Sequence, residues 1–263
     1  MPTSNAMSNY LEDALIEHIF HASNTYSPVS TIYLGLHTAS PTDAGGNETV
    51  YTNYVRQAIA FSAASSRNIT QNGQVDFPQC GVTGATITHY GLYDAETSGN
   101  LLAWGALSSS KAVSEGNTPS VADAEVDVYF SAGTISDYLA DTLLDFAFRN
   151  QAFSKPSKYI FLATVALTDA STGSTITEPG NAYARHQVTA WTCTNNAAEN
   201  TSEETFSPNP SGTWGAITAV GLADASSAGN ILFYDNSPTG DGQTPTTGDT
   251  VKFAAGAFDV TLE

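Results

Sequence analysis

The sequence predicts a β-dominated α+β fold: two tandem copies of a small antiparallel β-sandwich, each with a flanking helix at its start. Three observations carry this expectation. The composition is polar without being charged, with 60 Ser and Thr, 12 Phe and 12 Tyr among 263 residues, and β-branched and aromatic side chains favour pleated sheet. One pattern of residues recurs, in the same order, in both halves of the chain. Each recurrence opens on apolar residues four apart and continues in short alternating runs divided by turn formers.

Hydrophobic residues make up 41% and charged residues 13% of the chain, the latter about half the ~25% usual in soluble domains. Core material is therefore ample, and disorder is a poor reading. The balance of 26 acids against 8 bases gives a net charge of −18. Clamping a phosphate backbone takes clustered Lys and Arg, so neither nucleic acid nor anionic membrane is an expected partner. The most apolar stretch, Tyr159 to Leu167, is too short to span a bilayer. Near the N-terminus Glu12, Asp13, Glu17 and His18 interrupt the apolar residues and no basic segment precedes them, so no signal peptide is expected. Cys80 and Cys193 fall at non-equivalent places in the repeat and are expected to be free thiols in a reducing compartment.

The repeat runs through the whole chain. Ser8-Asn-Tyr-Leu-Glu-Asp-Ala-Leu-Ile-Glu matches Ser136-Asp-Tyr-Leu-Ala-Asp-Thr-Leu-Leu-Asp, and Ile32-Tyr-Leu matches Ile160-Phe-Leu. Tyr54-Val-Arg56 matches Tyr183-Ala-Arg185, and Phe77 matches Phe206. Ile87-Thr-His-Tyr-Gly-Leu-Tyr-Asp-Ala matches Ile217-Thr-Ala-Val-Gly-Leu-Ala-Asp-Ala, each followed by Gly-Asn and an apolar pair, Leu101-Leu102 or Ile231-Leu232. Phe130-Ser-Ala-Gly133 is paired with Phe253-Ala-Ala-Gly256. The expected organisation is an N-terminal tail (1–7), a first domain (8–135) and a second (136–263).

Each copy starts with a helix. Asn9 followed three residues later by Glu12 reads as a capping-box-like start, and Leu11, Leu15 and Ile19 form one stripe. Leu139, Leu143 and Ala147 repeat it, broadened by Leu144 and Phe148, with Ser136 as the cap. Strands are expected over Thr31 to Thr38, with Ile32, Leu34 and Leu36 on one face, then over Tyr54 to Phe61, Thr86 to Tyr93, Asn100 to Leu107 and Val126 to Phe130. Turn formers separate them, as in Pro41-Thr-Asp-Ala-Gly-Gly-Asn and Ser237-Pro-Thr-Gly-Asp-Gly. No Gly/Ser or Pro spacer joins the copies, which predicts a rigid tandem. The second copy extends its last strand through Ala257 to Leu262, so the first copy's last strand is expected to be shortened or shared across the junction.

Chemistry is sparse. The five histidines, 18, 21, 37, 89 and 186, are dispersed. His18 and His21 share a helix, but the second copy has Phe146 and Arg149 there, so no metal site is expected. Zinc-protease, P-loop, nucleophile-elbow and Cys-x-x-Cys patterns do not occur. No catalytic, cofactor-binding or metal-binding residue is assigned. Acids recur at Glu48 and Glu178 and at Asp94 and Asp224. The latter two stand in a turn, Asp-Ala-x-x-x-Gly-Asn, where Asp bonds nearby backbone N–H groups. The acidic loop Asp241 to Asp249 could take Ca²⁺ with backbone carbonyls but lacks the fixed ligand spacing of an EF-hand. Arg56 and Arg185 each lie two residues after a Tyr, hence on its face of a strand. Each is expected to be a structural tie to its own copy's acid, Glu48 and Glu178 or Asp94 and Asp224, because a guanidinium fork can hold a carboxylate with two hydrogen bonds. Trp104, Trp191 and Trp214 occupy different repeat positions and form no duplicated site; core packing is the expected role for two of the three.

The repeated signature is Ser-x-Tyr-Leu-x-x-x-Leu-Leu at Ser8 to Ile16, Tyr-x-Gly-Leu-His-Thr-x-x-Pro-Thr-Asp at Tyr33 to Asp43, Tyr-x-Arg at Tyr54 to Arg56, Gly-Leu-x-Asp-Ala-x-x-x-Gly-Asn at Gly91 to Asn100, and Phe-x-Ala-Gly at Phe130 to Gly133. It resembles a family of bacteriophage virion proteins labelled tail fibre or minor structural proteins. The second copy departs from it at Ala163-Thr164-Val165, where the first has Gly35-Leu36-His37. The resemblance implies a place in a virion assembled in the bacterial cytoplasm, with other virion proteins and further copies of itself as partners. It implies no catalytic residues and leaves tail fibre, tail accessory and capsid decoration open.

Two other classes stand beside a structural virion part. A carbohydrate-binding module recognising a host surface glycan would use exposed aromatic side chains. A glycan hydrolase would need two carboxyl groups ~5–9 Å apart, one of them with a raised pKa. The acidic surface itself reads as a solvated, self-repelling coat.

Overall fold

The computed structural model describes residues 5–23, 25–207, 211–237 and 243–262. The first copy runs β1 (Asn5–Met7), α1 (Asn9–Phe20), β2 (Ile32–His37), β3 (Gln57–Ile59), β4 (Asn68–Thr70), β5 (Val75–Asp76), β6 (Ala85–Tyr93), β7 (Leu101–Val113), β8 (Ser120–Val121) and β9 (Asp127–Tyr129). The second runs α2 (Asp137–Arg149), β10 (Tyr159–Ala163), β11 (His186–Gln187), β12 (Trp191–Thr194), β13 (Ala197–Asn200), β14 (Glu204–Thr205), β15 (Ala219–Ala223), β16 (Ile231–Asp235), β17 (Lys252–Phe253) and β18 (Asp259–Thr261). The fold is β-dominated in two tandem halves. Among the described residues no helix is long and apolar enough to cross a membrane.

The main sheet of the first copy has the order β1-β7-β6-β2-β3, and that of the second β11-β10-β15-β16, antiparallel throughout. A bridge from Ile135 to Phe233 stands where β1 pairs with β7 in the first copy. Residues 5–7, assigned to a tail from sequence, thus belong to the first sheet. Small ladders complete each copy: β4-β9 and β5-β8 in the first, β12-β13-β18 and β14-β17 in the second.

Ser8, rather than Asn9, caps α1. Its hydroxyl accepts from Leu11 N–H at 3.3 Å and donates to Leu101 O, while its own N–H donates to Leu102 O at 2.9 Å. Ser136 repeats the arrangement, accepting from Leu139 N–H at 3.1 Å and donating to Ile231 O at 2.5 Å. A serine therefore does two jobs at once: it closes a helix N-terminus and pins that helix to the apolar pair that opens β7 or β16. Leu11, Leu15 and Ile19, like Leu139, Leu143 and Ala147, are fully buried.

Three strand expectations change. Tyr54 to Phe61 is strand only over Gln57–Ile59, so Tyr54 and Arg56 sit in irregular backbone just before it. Strand β7 continues to Val113, with a break at which Leu107 to Ser110 stand opposite Thr88 alone. The last strands are equivalent and neither is shortened or shared: Ile69 faces Val128 in β4-β9 as Ala198 faces Val260 in β13-β18. This pairs Asp127-Val-Tyr-Phe130 with Asp259-Val-Thr-Leu262. The Phe-x-Ala-Gly match is a chance likeness, because ladder hydrogen bonds set strand equivalence and residue identity does not.

One hydrophobic core runs through both copies, and the helices explain why. Helix α1 packs on its own β7 and on β12 and β13 of the second copy; α2 packs on its own β16 and on β4 and β9 of the first. Phe20 meets Trp191 with ring centroids 4.6 Å apart, and His18 meets Phe146 at the same separation. Because neither half encloses its own helix, unfolding should be a single transition by calorimetry. Leu15→Ala and Leu143→Ala should each lower the stability of the whole chain by about 2–5 kcal/mol. Two resolved transitions, with each substitution moving only one, would contradict the shared core.

Candidate functional site

The repeated charged residues assemble into one cluster per copy. In the first, the loop after β2 returns so that Glu48 bridges His37. Its Oε1 accepts from Arg56 Nε at 2.7 Å and from the Tyr54 hydroxyl at 2.7 Å, while Oε2 accepts from Arg56 Nη2 at 2.8 Å. Arg56 Nη1 donates to Ala95 O at 2.9 Å and Ser98 O at 2.6 Å, inside the turn between β6 and β7. The Tyr54 hydroxyl also accepts from Leu36 N–H at 3.0 Å. One guanidinium thus joins two loops and, through Glu48 and Tyr54, the end of β2.

The second copy repeats the geometry. Arg185 Nε and Nη2 reach Glu178 Oε1 and Oε2 at 2.9 and 3.0 Å, and Nη1 donates to Ala225 O and Ala228 O at 2.9 and 2.8 Å. Neither arginine pairs with the turn aspartate. Asp94 instead accepts from Asn100 N–H and Nδ2 at 2.6 and 2.7 Å, and Asp224 does the same with Asn230 at 2.8 Å for both bonds. The turn glycines are required here: Gly99 and Gly229 have φ +70° and +69°, and a Cβ on either would lie within 2.4 Å of the Asp carboxylate. The carboxylate shapes the turn, and the turn presents two carbonyl oxygens to the arginine.

The copies differ in how they fill the space beside this cluster. In the first, the Arg56 guanidinium lies 3.3 Å above the Tyr93 ring, and the Tyr93 hydroxyl is 3.0 Å from His37 Nε2. His37 Nδ1 is 2.8 Å from Gly46 O; a carbonyl only accepts, so Nδ1 carries the proton and Nε2 accepts from Tyr93. Gly35 leaves room for the ring, since a Cβ there would lie 3.0 Å from Tyr93 Cε2. Register corrects the sequence match here: Leu36 faces Tyr90 as Leu162 faces Val220, so the second copy has Phe161, not Ala163, for Gly35, Ala163 for His37 and Ala223 for Tyr93. The ring therefore comes from the other strand, Phe161 lying 5.7 Å from the Arg185 guanidinium, and Arg185 Nη2 takes an additional carbonyl, Gly173 O, at 2.9 Å.

A second set of acids, read from sequence as part of a solvated coat, lies between the copies. Asp137, Asp141 and Asp145 are four apart on α2. Asp141 Oδ1 accepts from Arg67 N–H at 2.7 Å, Asp145 Oδ1 from Ala64 N–H at 2.8 Å and Asp137 Oδ1 from Arg67 Nη1 at 2.9 Å. Arg67 Nη1 also pairs with Asp169. On α1, Asp13 accepts from Asn196 N–H, and Glu12 from Asn196 Nδ2 at 3.1 Å. Asp13 corresponds to Asp141 and Asn196 to Arg67, so each helix grips the other copy's turn at the same point. Those turns have both central residues at positive φ, Ser66 and Arg67 at 55° and 63°, Asn195 and Asn196 at 49° and 52°. The four-residue spacing of the aspartates was visible in the sequence; their partners, 70 to 81 residues away, were not.

The remaining candidates are not assembled into a site. Trp214 is buried, Trp191 packs on Phe20, and Trp104 lies near His89 with centroids 6.4 Å apart. Cys80 and Cys193 are free. Among the described residues no group of three or more His, Cys, Asp or Glu is placed to hold a metal. In the acidic loop Asp241 to Asp249, Asp241 and Gly242 lie outside the described residues, as do residues 238–240 before them. Asp249 accepts from Thr246 N–H at 2.7 Å.

Burial pushes the His37 imidazole below its ordinary pKa despite the Gly46 carbonyl and the Glu48 charge. Burial likewise lowers His18 and His89. Burial alone would raise Glu48, but the hydrogen bonds and charge of Arg56, with the Tyr54 bond, outweigh it and hold the carboxyl low. Both shifts mean that the folded chain binds fewer protons than the unfolded one, so stability falls as pH falls. The histidine part should be lost from about pH 6.5 downward and the Glu48 part below about pH 4.5. Melting temperatures of wild type and His37→Gln measured between pH 8 and 5 check this; a smaller acid-side decline is expected in the variant.

The family described as "Podophage GP4 fiber I protein gp80" matches the chain twice, over residues 6–129 and 134–261. No curated protein matches it. The two matches meet at the duplication and together cover nearly all of the chain, so the chain belongs to this family of phage fibre proteins, with a structural place among the components of a virion.

Proposed function

We propose that the protein is a non-enzymatic building block of a fibre on the tail of a podophage, delivering two fused modules as one rigid body to an assembly of several copies. The observation that carries this reading is the exchange of helices between copies. A part that bears load across a fibre needs its modules locked, and here each helix is seated in the other module's ladder. The family's description as a fibre protein favours the tail over capsid decoration. The four repeated acids support a structural role over a hydrolytic one: Glu48 and Glu178 each hold an arginine, and Asp94 and Asp224 each close a turn. On this reading the module boundaries lie between β9 and α2, and Arg56 and Arg185 are ties that fix each module's loops for contact with neighbours.

Electron microscopy of particles assembled without the protein tests the placement. Loss of tail appendages is expected; loss of capsid knobs with intact appendages would assign it to capsid decoration instead. A host-glycan reading is tested on a glycan array, where no binding at millimolar ligand is expected. The ties are tested by Arg56→Met and Arg185→Met. Each removes the guanidinium from a half-buried carboxylate and from at least two turn carbonyls, and each should cost about 1.5–3 kcal/mol in chemical denaturation. Unchanged stability in both would remove the tie role.

A further inference from the structure

The two copies have diverged most usefully at a cleft between the main sheet and the ladder that follows it. In the first copy the cleft is a cavity of about 390 Å³ with Leu36, Phe77, Ile87, Tyr90, Val121 and Val126 among its lining residues, within the size range of small-ligand pockets. Ladder register identifies the counterparts of its two valines. Val75 faces Val121 as Glu204 faces Phe253, and Val126 precedes Asp127 as Phe258 precedes Asp259. The second copy thus places Phe253 and Phe258 where the first has valines. Those rings pack edge-on at 4.8 Å, and Phe253 reaches Phe206, the counterpart of Phe77, at 6.2 Å. Among the described residues the second copy's cavity, about 230 Å³, does not extend to Phe206 or Ile217. The second copy also has Val220 where the first has Tyr90, so the first cleft stays open with one such ring beside it where the second copy has two. An apolar cavity forgoes the dispersion contacts that would fill it.

The rim supplies a second observation. Seven of the eight Lys and Arg residues are engaged: Arg56, Arg67, Arg149, Arg185 and Lys252 with carboxylates, Lys155 with His21 O and Lys158 with Ile19 O. The Lys111 ammonium, at the mouth of this cleft, has no hydrogen bond or ion pair among the described residues, while the residue itself pairs with Ile87 in the ladder. It stands just past the break in β7, near Ser108, Ser109 and Ser120, with Glu125 also on the rim. One cation and one anion leave the rim without net charge, so selection there rests on shape and hydrogen bonding. Lys155 and Lys158 show one acceptor that a lysine takes in this chain: each donates to a main-chain carbonyl.

We propose that the first-copy cleft is a docking site for an aromatic side chain presented by a segment of a partner protein, the ring lying against Phe77 and Tyr90 and Lys111 donating to a carbonyl of that segment's backbone. The second copy's own Phe253 and Phe258 show the group that fits. Edge-to-face contact with Phe77 or Tyr90 would favour a ring over an aliphatic chain.

The test titrates the full ¹⁵N-labelled chain with acetyl-Gly-Phe-Gly-amide, acetyl-Gly-Leu-Gly-amide and lactose. The Phe peptide should bind with a dissociation constant on the order of 1 mM, shifting amide signals of Val113, Val121 and Val126 and leaving Phe253 and Phe258 unmoved. The Leu peptide should bind about tenfold more weakly. Lys111→Ala should weaken the Phe peptide about threefold, and the double variant Val121→Phe/Val126→Phe should lose binding. Equal binding of both peptides, binding that survives the double variant, or lactose shifting the cleft signals while the peptides do not would each overturn the proposal. Should the double variant fail to fold, the Phe–Leu difference and Lys111→Ala still decide it. Because the readout is binding by isolated chain, it is independent of whether the protein sits on tail or capsid.

Discussion

A helix of three turns with apolar residues over most of its circumference must be covered from more than one direction, and each copy here supplies only part of that cover. The rest comes from the other copy. Leu11, Leu15 and Ile19 of α1 are closed off by β12 and β13, and the stripe of α2 by β4 and β9. This requirement makes two similar modules into one body. It also explains where the interface polar groups sit: Asp13 and Asp141 meet the exposed N–H groups of two tight turns, Asn196 and Arg67, in matching fashion. Two sequence copies that bind each other through the same elements form a self-complementary, two-fold-like contact.

The polar groups follow one economy. A chain with 8 bases uses them where several orphaned oxygens converge. Arg56 and Arg185 each satisfy a carboxylate and two turn carbonyls, Lys158 satisfies the end of α1, and Arg67 sits between two aspartates. Buried carbonyls need donors, and a planar guanidinium serves several in fixed geometry. The repeated Tyr-x-Arg and Asp-Ala-x-x-x-Gly-Asn elements are therefore two halves of one device: the second shapes a turn, the first grips it.

Duplication gave the chain a free comparison within itself. Where the copies agree, as at Ser8 and Ser136 or Arg56 and Arg185, the shared geometry shows what the module requires. Where they differ, the difference is compensated locally. Tyr93 fills the room beside Gly35, whereas the second copy reverses the pair with Phe161 and Ala223, and its arginine takes another carbonyl. At the cleft beside Val121 and Val126 the compensation is partial: Tyr90 stands for Val220, but one ring replaces two and a cavity of about 390 Å³ remains.

The sequence by itself determined the β-dominated class, the duplication, both helices with their buried stripes and most of the longer strands, because periodicity and repetition are carried by neighbouring residues. It also singled out Arg56, Arg185, Glu48 and Glu178, whose matching positions stood out against so few bases. Tertiary structure alone decided that Ser8 caps α1, that Asp127 to Phe130 is the partner of Asp259 to Leu262, and that Asp94 and Asp224 serve the turn and not the arginine. It alone placed Asp137, Asp141 and Asp145 against the other copy, an acid stripe that reads as solvated surface until its partners arrive. These outcomes depend on strand register and on hydrogen bonds between residues 70 to 180 positions apart, and no local pattern encodes which distant backbone N–H will stand opposite a carboxylate.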